Sequence, residues 1–362
     1  MKTPLAVALF WILCAGSVAR AVCAGTSVNA FGAKGDGASD DTAAIQQAIT
    51  AAAAAGGGSV VFNVARYFTT GTFVVPTGVV LCGAIEGPFD ITSGANPAAT
   101  VVAPTLLVTN TSSPFITLQG LGAGVTDLLF HYPNQVSVSA SAPNVYPYTI
   151  VASSPGAKVV RSMVTNAYNF LDIESGRVIA QDLKIGAFNI GVNIDHAYDH
   201  VTLRNLQATP WWDIAQNQPV PTTVDTWVLN HGIAVVVNRV DSLEIHDLMV
   251  FYRFAGMLLT DSPDTTQSPR CGFGTGSDID LDSMAGYGII VTASNAPGYE
   301  FANLDVDTAG GQAVVQLRSG GSIPPQVLIN GGSESGNWAM GAFPTPAAGN
   351  LTLVNIIGYN IP

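Results

Sequence analysis

Charged side chains are scarce in this sequence: Asp, Glu, Lys and Arg make up 10% of its 362 residues. Cations are scarcer than acids, with 13 Lys and Arg against 25 Asp and Glu, for a net charge of −12. A surface of that sign repels DNA, RNA and anionic membranes, which argues against nucleic-acid partners. It also makes a polyanionic substrate awkward unless a basic patch or a bound cation helps. Four cysteines and five histidines are too few for a zinc cluster by spacing, and no Cys-x-x-Cys pair occurs. The N-terminal apolar run, Leu5 to Ala15, is too short to span a bilayer comfortably. A glycine cluster at Gly32, Gly35 and Gly37 has the wrong spacing for a dinucleotide fingerprint or a P-loop.

Glycine, by contrast, is abundant at 38 residues, and the apolar fraction of 48% is ample for a core. With plentiful Ala, Val, Ser, Thr and Asn, this profile fits a β-rich extracellular protein with many tight turns. Lys2, the apolar run and the small residues after it read as a secretory signal peptide over residues 1–24. Small-x-small cleavage signals occur at Ala19-Arg20-Ala21 and at Val22-Cys23-Ala24. The expected product is secreted, extracellular or periplasmic, with a single domain over 25–362. Losing the leader removes Lys2 and Arg20 but no acid, so 11 basic residues face 25 acidic ones. Cys23, if retained, could pair with Cys82; Cys82 could instead reach Cys271; or the thiols stay free and buried.

An internal repeat sets the architecture. Similar units begin at Arg177, His200, Ser242, Ser277 and Tyr299, and the uninterrupted ones recur at about 23 residues, a solenoid period. Within each, short β-branched runs alternate in and out, as Val201 and Leu203 do with Thr202 and Arg204. A third run follows a glycine: Gly191, Gly232, Gly256 and Gly288 each open one. Three strands per repeat with no helix between them describe a parallel β-helix. Asp182, Asn205, Asp247, Asn303 and Asn355 occupy equivalent places between the first two strands, where polar side chains can hold a tight bend.

The stretch 30–62 then falls into place. Asp40 and Asp41 suit a helix start, Ile45, Ala48, Ile49 and Ala52 form one apolar stripe, and Gly56-Gly57-Gly58 ends the helix. An amphipathic helix laid across the raw end of a solenoid closes it, so residues 25–58 read as an N-terminal cap. Phe31 to Gly37, Asp40 to Gln46 and Gly57 to Phe62 together resemble the N-terminal signature of the pectate lyase superfamily. That group includes polygalacturonase-like and rhamnogalacturonase-like hydrolases, polysaccharide lyases, epimerases and phage tailspikes. The resemblance implies an all-β, right-handed parallel β-helix with an N-terminal capping α-helix, and a polysaccharide or oligosaccharide as partner.

Chemistry is expected where loops interrupt the coil. Insertions at 132–148, 211–231 and 262–276 are rich in aromatics, prolines and amides, and two of them flank the glycine-led sheet. Asp195 and Asp261 end glycine-led runs two coils apart, roughly 10 Å at about 4.8 Å per coil, near the upper limit for an inverting pair of carboxylates. They are the expected acid and base, with His196 and Asp199 tuning the first and Asp213 in reserve. Trp211, Trp212, Trp227 and Tyr252 could stack on sugar rings, and Asn238 lies at the intervening edge. Those aromatics could equally anchor long loops. The Asp-Asp pair, Gly-His-Gly and Arg-Ile-Lys segments of a standard polygalacturonase have no counterpart here. Outward positions Ala234, Val236, Leu258, Ile290 and Val314 are apolar, which calls for covering loops or for a subunit contact such as the threefold one of a homotrimer.

Asp280 and Asp282 should stack on Asp305 and Asp307 of the next coil, an oxygen-rich ladder that could take Ca²⁺. No cofactor is otherwise required. The leading expectation is a secreted glycoside hydrolase acting on an extended glycan in a groove. A non-catalytic carbohydrate-binding scaffold, or a lyase or epimerase, are the competing readings.

Overall fold

Val201 and Leu203 sit opposite Val178 and Ala180 on one side and opposite Leu243 and Ile245 on the other. Repeated along the chain, this register stacks like on like and produces a parallel β-helix. The structure, a computed structural model, describes residues 23–87, 103–135, 142–210, 223–308, 313–318, 320–336 and 349–359. Among these, 24 strands join in one continuous ladder, and every strand pair is parallel. Ile150, Leu171, Val192, Val235, Met257, Ile289 and Val315 form one inward row, all buried. Each such side chain contributes about 1.5–3 kcal/mol by leaving water.

The corner between the first two strands is built as expected. Asp182, Asn205, Asp247, Asn303 and Asn355 all adopt left-handed backbone, with φ between 51° and 59°. The same register adds Asp127, Arg161 and Asp278 to the row. The Asn205 amide donates to Asp182 over 2.7 Å, and Asn303 donates to Asp278 over 2.7 Å. Short polar side chains tolerate this conformation best after glycine, and here they also bond one another up the stack.

Helix α1, Thr42–Ala54, lies on the end of the coil and buries Ile45, Ala48, Ile49 and Ala52. The two aspartates before it do something other than sit in its first turn. Asp40 accepts from the Thr42 N–H (3.0 Å), whereas Asp41 accepts from the N–H groups of Lys34 (2.7 Å) and Gly35 (3.1 Å) and so holds the preceding loop. At the other end Gly56 turns left-handed (φ 90°), and the Gly57 N–H bonds back to the Ala52 carbonyl. Cys23 is bonded to Cys82, which ties the first strand region to the wall, and Cys271 is a buried free thiol.

The last nine residues of the long insertion form helix α2, Thr223–His231, a feature that its aromatic and amide content does not announce. Ala234, Val236, Ile290 and Val314 are buried within the single chain, and Leu258 is half-buried, so this apolar floor is covered without a second copy. No helix among the described residues is long and apolar enough to cross a membrane.

Candidate functional site

The glycine-led strands form one face of the coil, and its polar part lies toward the N-terminal half. In the strand Met163–Ile173, Leu171 and Ile173 point into the core, which turns Asp172 outward, and Glu174 follows on the same side. Asp172 pairs in register with Asn193, and Asn193 with Val236. The Asn193 amide donates to Asp172 over 2.8 Å, and the Asn238 amide donates to Asn193 over 2.9 Å. An amide chain thus runs across three coils and ends on a carboxyl.

Burial pushes the Asp172 carboxyl up to about 7; the bond from Asn193 opposes this, while the charge and contact of Glu174 and the charge of Asp195 add to it. Tyr148 lies beside Asp172 and Glu174, and burial, then their charges, raise its phenol above the ordinary range, so it stays protonated.

His196 closes the site on one side. Its Nδ1 faces Glu174 at 2.7 Å and its Nε2 faces Asp264 at 3.1 Å. A carboxyl group at each nitrogen favours the charged ring, in which both nitrogens donate. Burial alone would lower its pKa, but the bond to Asp264 and the charges of Asp195 and Glu174 outweigh it and raise it. The loop Ser262–Arg270 is held down here: Gln267 Nε2 donates to Ser262 Oγ over 2.8 Å, and the guanidinium of Arg270 donates to the Ser262 carbonyl over 2.6 Å. At the opposite edge Trp227 of α2 stacks on His231 at 4.5 Å and lies 5.9 Å from Tyr168. The arrangement is a carboxyl poised near neutrality, a second carboxylate fixed by a cation, and a phenol, on an open floor with a wall at each edge. It can hold or move protons next to an extended ligand.

A family model described as rhamnogalacturonase A/epimerase, pectate lyase-like, matches residues 25–142. The A-module of the mannuronan C-5 epimerase AlgE4 from Azotobacter vinelandii superposes with a TM-score of 0.54 at 15% identity, over 93% of this chain and 96% of that one. The tailspike protein of E. coli bacteriophage HK620, solved with a pentasaccharide, superposes with a TM-score of 0.55 at 10% identity, over 92% of this chain and 65% of that one. The chain has the pectate lyase-like parallel β-helix fold. No curated protein sequence matches it significantly.

In this pectate lyase-like β-helix, the residues expected to carry chemistry are distributed differently from the sequence reading. Asp195 is 3% exposed. It accepts from the His196 N–H (2.8 Å), the Ser262 hydroxyl (2.7 Å) and the Gln267 amide (3.3 Å). With the Arg239 N–H also bonded to it at 3.3 Å, Asp195 is a buried structural acceptor that pins the loop. Asp261 is likewise held by the Ser322 N–H and hydroxyl, both at 2.6 Å. The two are not an open acid/base pair. Asp199 pairs with Arg177 at 2.6 Å and does not join Asp195. Asn238 does belong to the floor, through Asn193. Tyr252 occupies a left-handed corner (φ 59°) and stacks on Phe251, which makes it a turn residue. Trp227 packs on Phe188 and Val228 and thereby anchors α2 to the coil, as the alternative reading of the aromatics had it. Trp211, Trp212 and Asp213 lie outside the described residues.

The aspartate ladder does stack, Asp280 on Asp305, both exposed. Partial desolvation between the stacked coils, then the charges of Asp305 and Asp282, raise the surface Asp280 carboxyl, while Asp305 already accepts from the Ser333 hydroxyl at 2.7 Å. Asp282 takes the Ser283 hydroxyl at 2.9 Å, and Asp307 accepts the Met284 N–H through its carbonyl. Among the described residues no three carboxylates converge within 4.8 Å, the one convergent group being Cys23, Cys82 and Asp127 at the disulfide. Asp172 and Glu174 are the residues that sequence reasoning missed. The signal was present in "NFLDIESG", residues 169–176, where two acids alternate with core residues, but this coil precedes the repeat as it is recognisable from Arg177 onward.

Proposed function

We propose that the protein is a polysaccharide-active enzyme, a glycoside hydrolase whose acid is Asp172 and whose second carboxylate is Glu174. The observation that carries this reading is the pair itself: two carboxyls two residues apart on one strand face, one of them held near neutrality. Strand geometry sets their Cα atoms about 6.6 Å apart, and the carboxyl groups touch in the ligand-free chain, so they must swing apart to the roughly 5–9.5 Å at which such a pair flanks a glycosidic bond. Asp172 donates its proton to the leaving oxygen, and Glu174 accepts the proton of the water that adds to the anomeric carbon. His196 positions Glu174, and the Asn193–Asn238 chain orients Asp172. The fold's extended face suits a polymer, and the tailspike relative holds a pentasaccharide. Secretion fits the same reading, because the leader-like N-terminus and the Cys23–Cys82 bond both favour an oxidising compartment.

Protonated Tyr148 beside the pair favours a second reading, proton transfer at a sugar carbon in a lyase or epimerase. New reducing ends without absorbance near 235 nm support hydrolysis; absorbance at that wavelength supports elimination. In either case Asp172→Asn should remove at least about a hundredfold of turnover. Wild-type turnover should also fall as pH rises through about 7. A fully active Asp172→Asn variant refutes the site, and binding without turnover of any glycan favours the scaffold.

A further inference from the structure

We infer that the glycan taken by the Asp172–Glu174 floor carries no carboxylates: its substrate is an uncharged polysaccharide and not a polyuronate. This rests on the floor being the active site. A uronate in each subsite needs a cation opposite it, because burying an unpaired carboxylate against fixed acids is strongly unfavourable. Beyond the leader the chain has 11 Lys and Arg, and all of them lie among the described residues, so no unseen loop can supply another.

Each can be placed. Lys34 and Arg66 belong to the cap end of the coil, the first bonded to Ser39 and the second in register with Asp36. Lys158, Lys184 and Arg204 lie on strand rows before the turn into the glycine-led face. Arg161 grips Asp127 at the corner, and Arg177 grips Asp199. Four arginines remain. Arg239 is buried and paired with Asp241 at 2.5 Å. Arg253 is wholly buried and donates to the Ile185 carbonyl. Arg270 is turned to the Ser262 carbonyl. Arg318 is five register steps from Glu174, through Asp195, Asn238, Thr260 and Thr292, or about 24 Å at about 4.8 Å per coil.

The floor and its wall therefore hold Glu174, Asp195 and Asp264 beside the near-neutral Asp172; His196 already faces Glu174 and Asp264, and Arg239, one register step from it, is buried and turned to Asp241. The floor's remaining groups, the amides of Asn193 and Asn238, suit hydroxyl or acetamido groups. Acids on the floor repel a carboxylated chain; they do not repel a neutral one.

The test uses the full mature chain against matched polymers: polygalacturonate, its carboxyl-reduced counterpart, alginate, and a panel of neutral glucans, galactans, mannans and chitooligosaccharides. Turnover is measured with wild type, and binding with the Asp172→Asn variant. The expected result is an Asp172-dependent kcat/KM at least tenfold higher on an uncharged glycan than on any polyuronate, with or without millimolar Ca²⁺. Its binding should change by less than about twofold between 50 and 500 mM NaCl. Asp172-dependent turnover of a polyuronate at an equal or greater rate overturns this inference and leaves the active site standing. Neither binding nor turnover of any member overturns both.

Discussion

Replacing Asp172 by Asn should make the protein more stable at alkaline pH while it removes activity. In the folded chain the Asp172 carboxyl is pushed from 3.8 to about 7. A raised carboxyl pKa means that the folded state holds this proton more tightly than the unfolded chain does. Wild-type stability therefore falls as pH rises between those two values, and the loss is complete above about 7. Three pK units correspond to about 4 kcal/mol, taken as a ceiling. Water reaches the partly exposed group and screens it, so about 2 kcal/mol is the working figure. Asn cannot ionise, and its carbonyl can still accept the Asn193 amide that now bonds Asp172 at 2.8 Å. With an unfolding entropy of about 0.7 kcal/mol/K for a chain of this size, the variant should melt about 3–6 °C above wild type at pH 8 and level with it near pH 4. Thermal scans by circular dichroism at one rate, from pH 4 to 8.5, measure this directly. A gap of the same size at every pH, or a variant that melts lower at pH 8, refutes the electrostatic account.

Ile45 is completely buried under the cap, so Ile45→Asp should cost about 3 kcal/mol or more and lower the urea midpoint; an unchanged midpoint would show that α1 is not a lid. Melting curves in EDTA and in millimolar Ca²⁺ should coincide, because the Asp280–Asp305 ladder has no converging third carboxylate among the described residues; a chelator-induced drop would instead assign a structural ion there. On the proposed secretory reading the mature chain should begin at Val22, since cleavage after Ala24 would remove Cys23 from its bond with Cys82. Thiol titration of that unreduced, denatured chain should then find Cys271 alone, and an N-terminus at Gly25 would contradict the pairing.

The coil was legible because its signals are local and repeated. Alternation in "HVTLRNLQA" fixes which side chains face inward, and the polar residue at Asn205 marks the bend whatever surrounds it. The cap helix was legible for the same reason, from Ile45, Ala48, Ile49 and Ala52. The site was not, because a carboxylate's role depends on what reaches its oxygens. Asp195 and Asp261 have the right residue type at strand ends, yet Ser262, Gln267 and Ser322 arrive from distant loops and occupy them. Nothing in the spacing shows those bonds. Asp172 looks no different in sequence from a solvated acid; its poise comes first from burial and then from Glu174, against the bond from Asn193 that register supplies.

The left-handed corner has a consequence for how such a chain can change. Asp182 and Asn205 are 23 residues apart and Asp278 and Asn303 are 25 apart, yet each pair is bonded across the same step. Between Asn205 and Asp247 lies the whole insertion that ends in α2, and Arg204 still stands opposite His246. The corner therefore acts as punctuation: alignment is kept by landmarks, not by residue count. A one-residue deletion inside a strand breaks the sentence, whereas a loop at the glycine end can grow, shrink or be exchanged without disturbing it. The walls of the groove can diversify while the floor stays fixed.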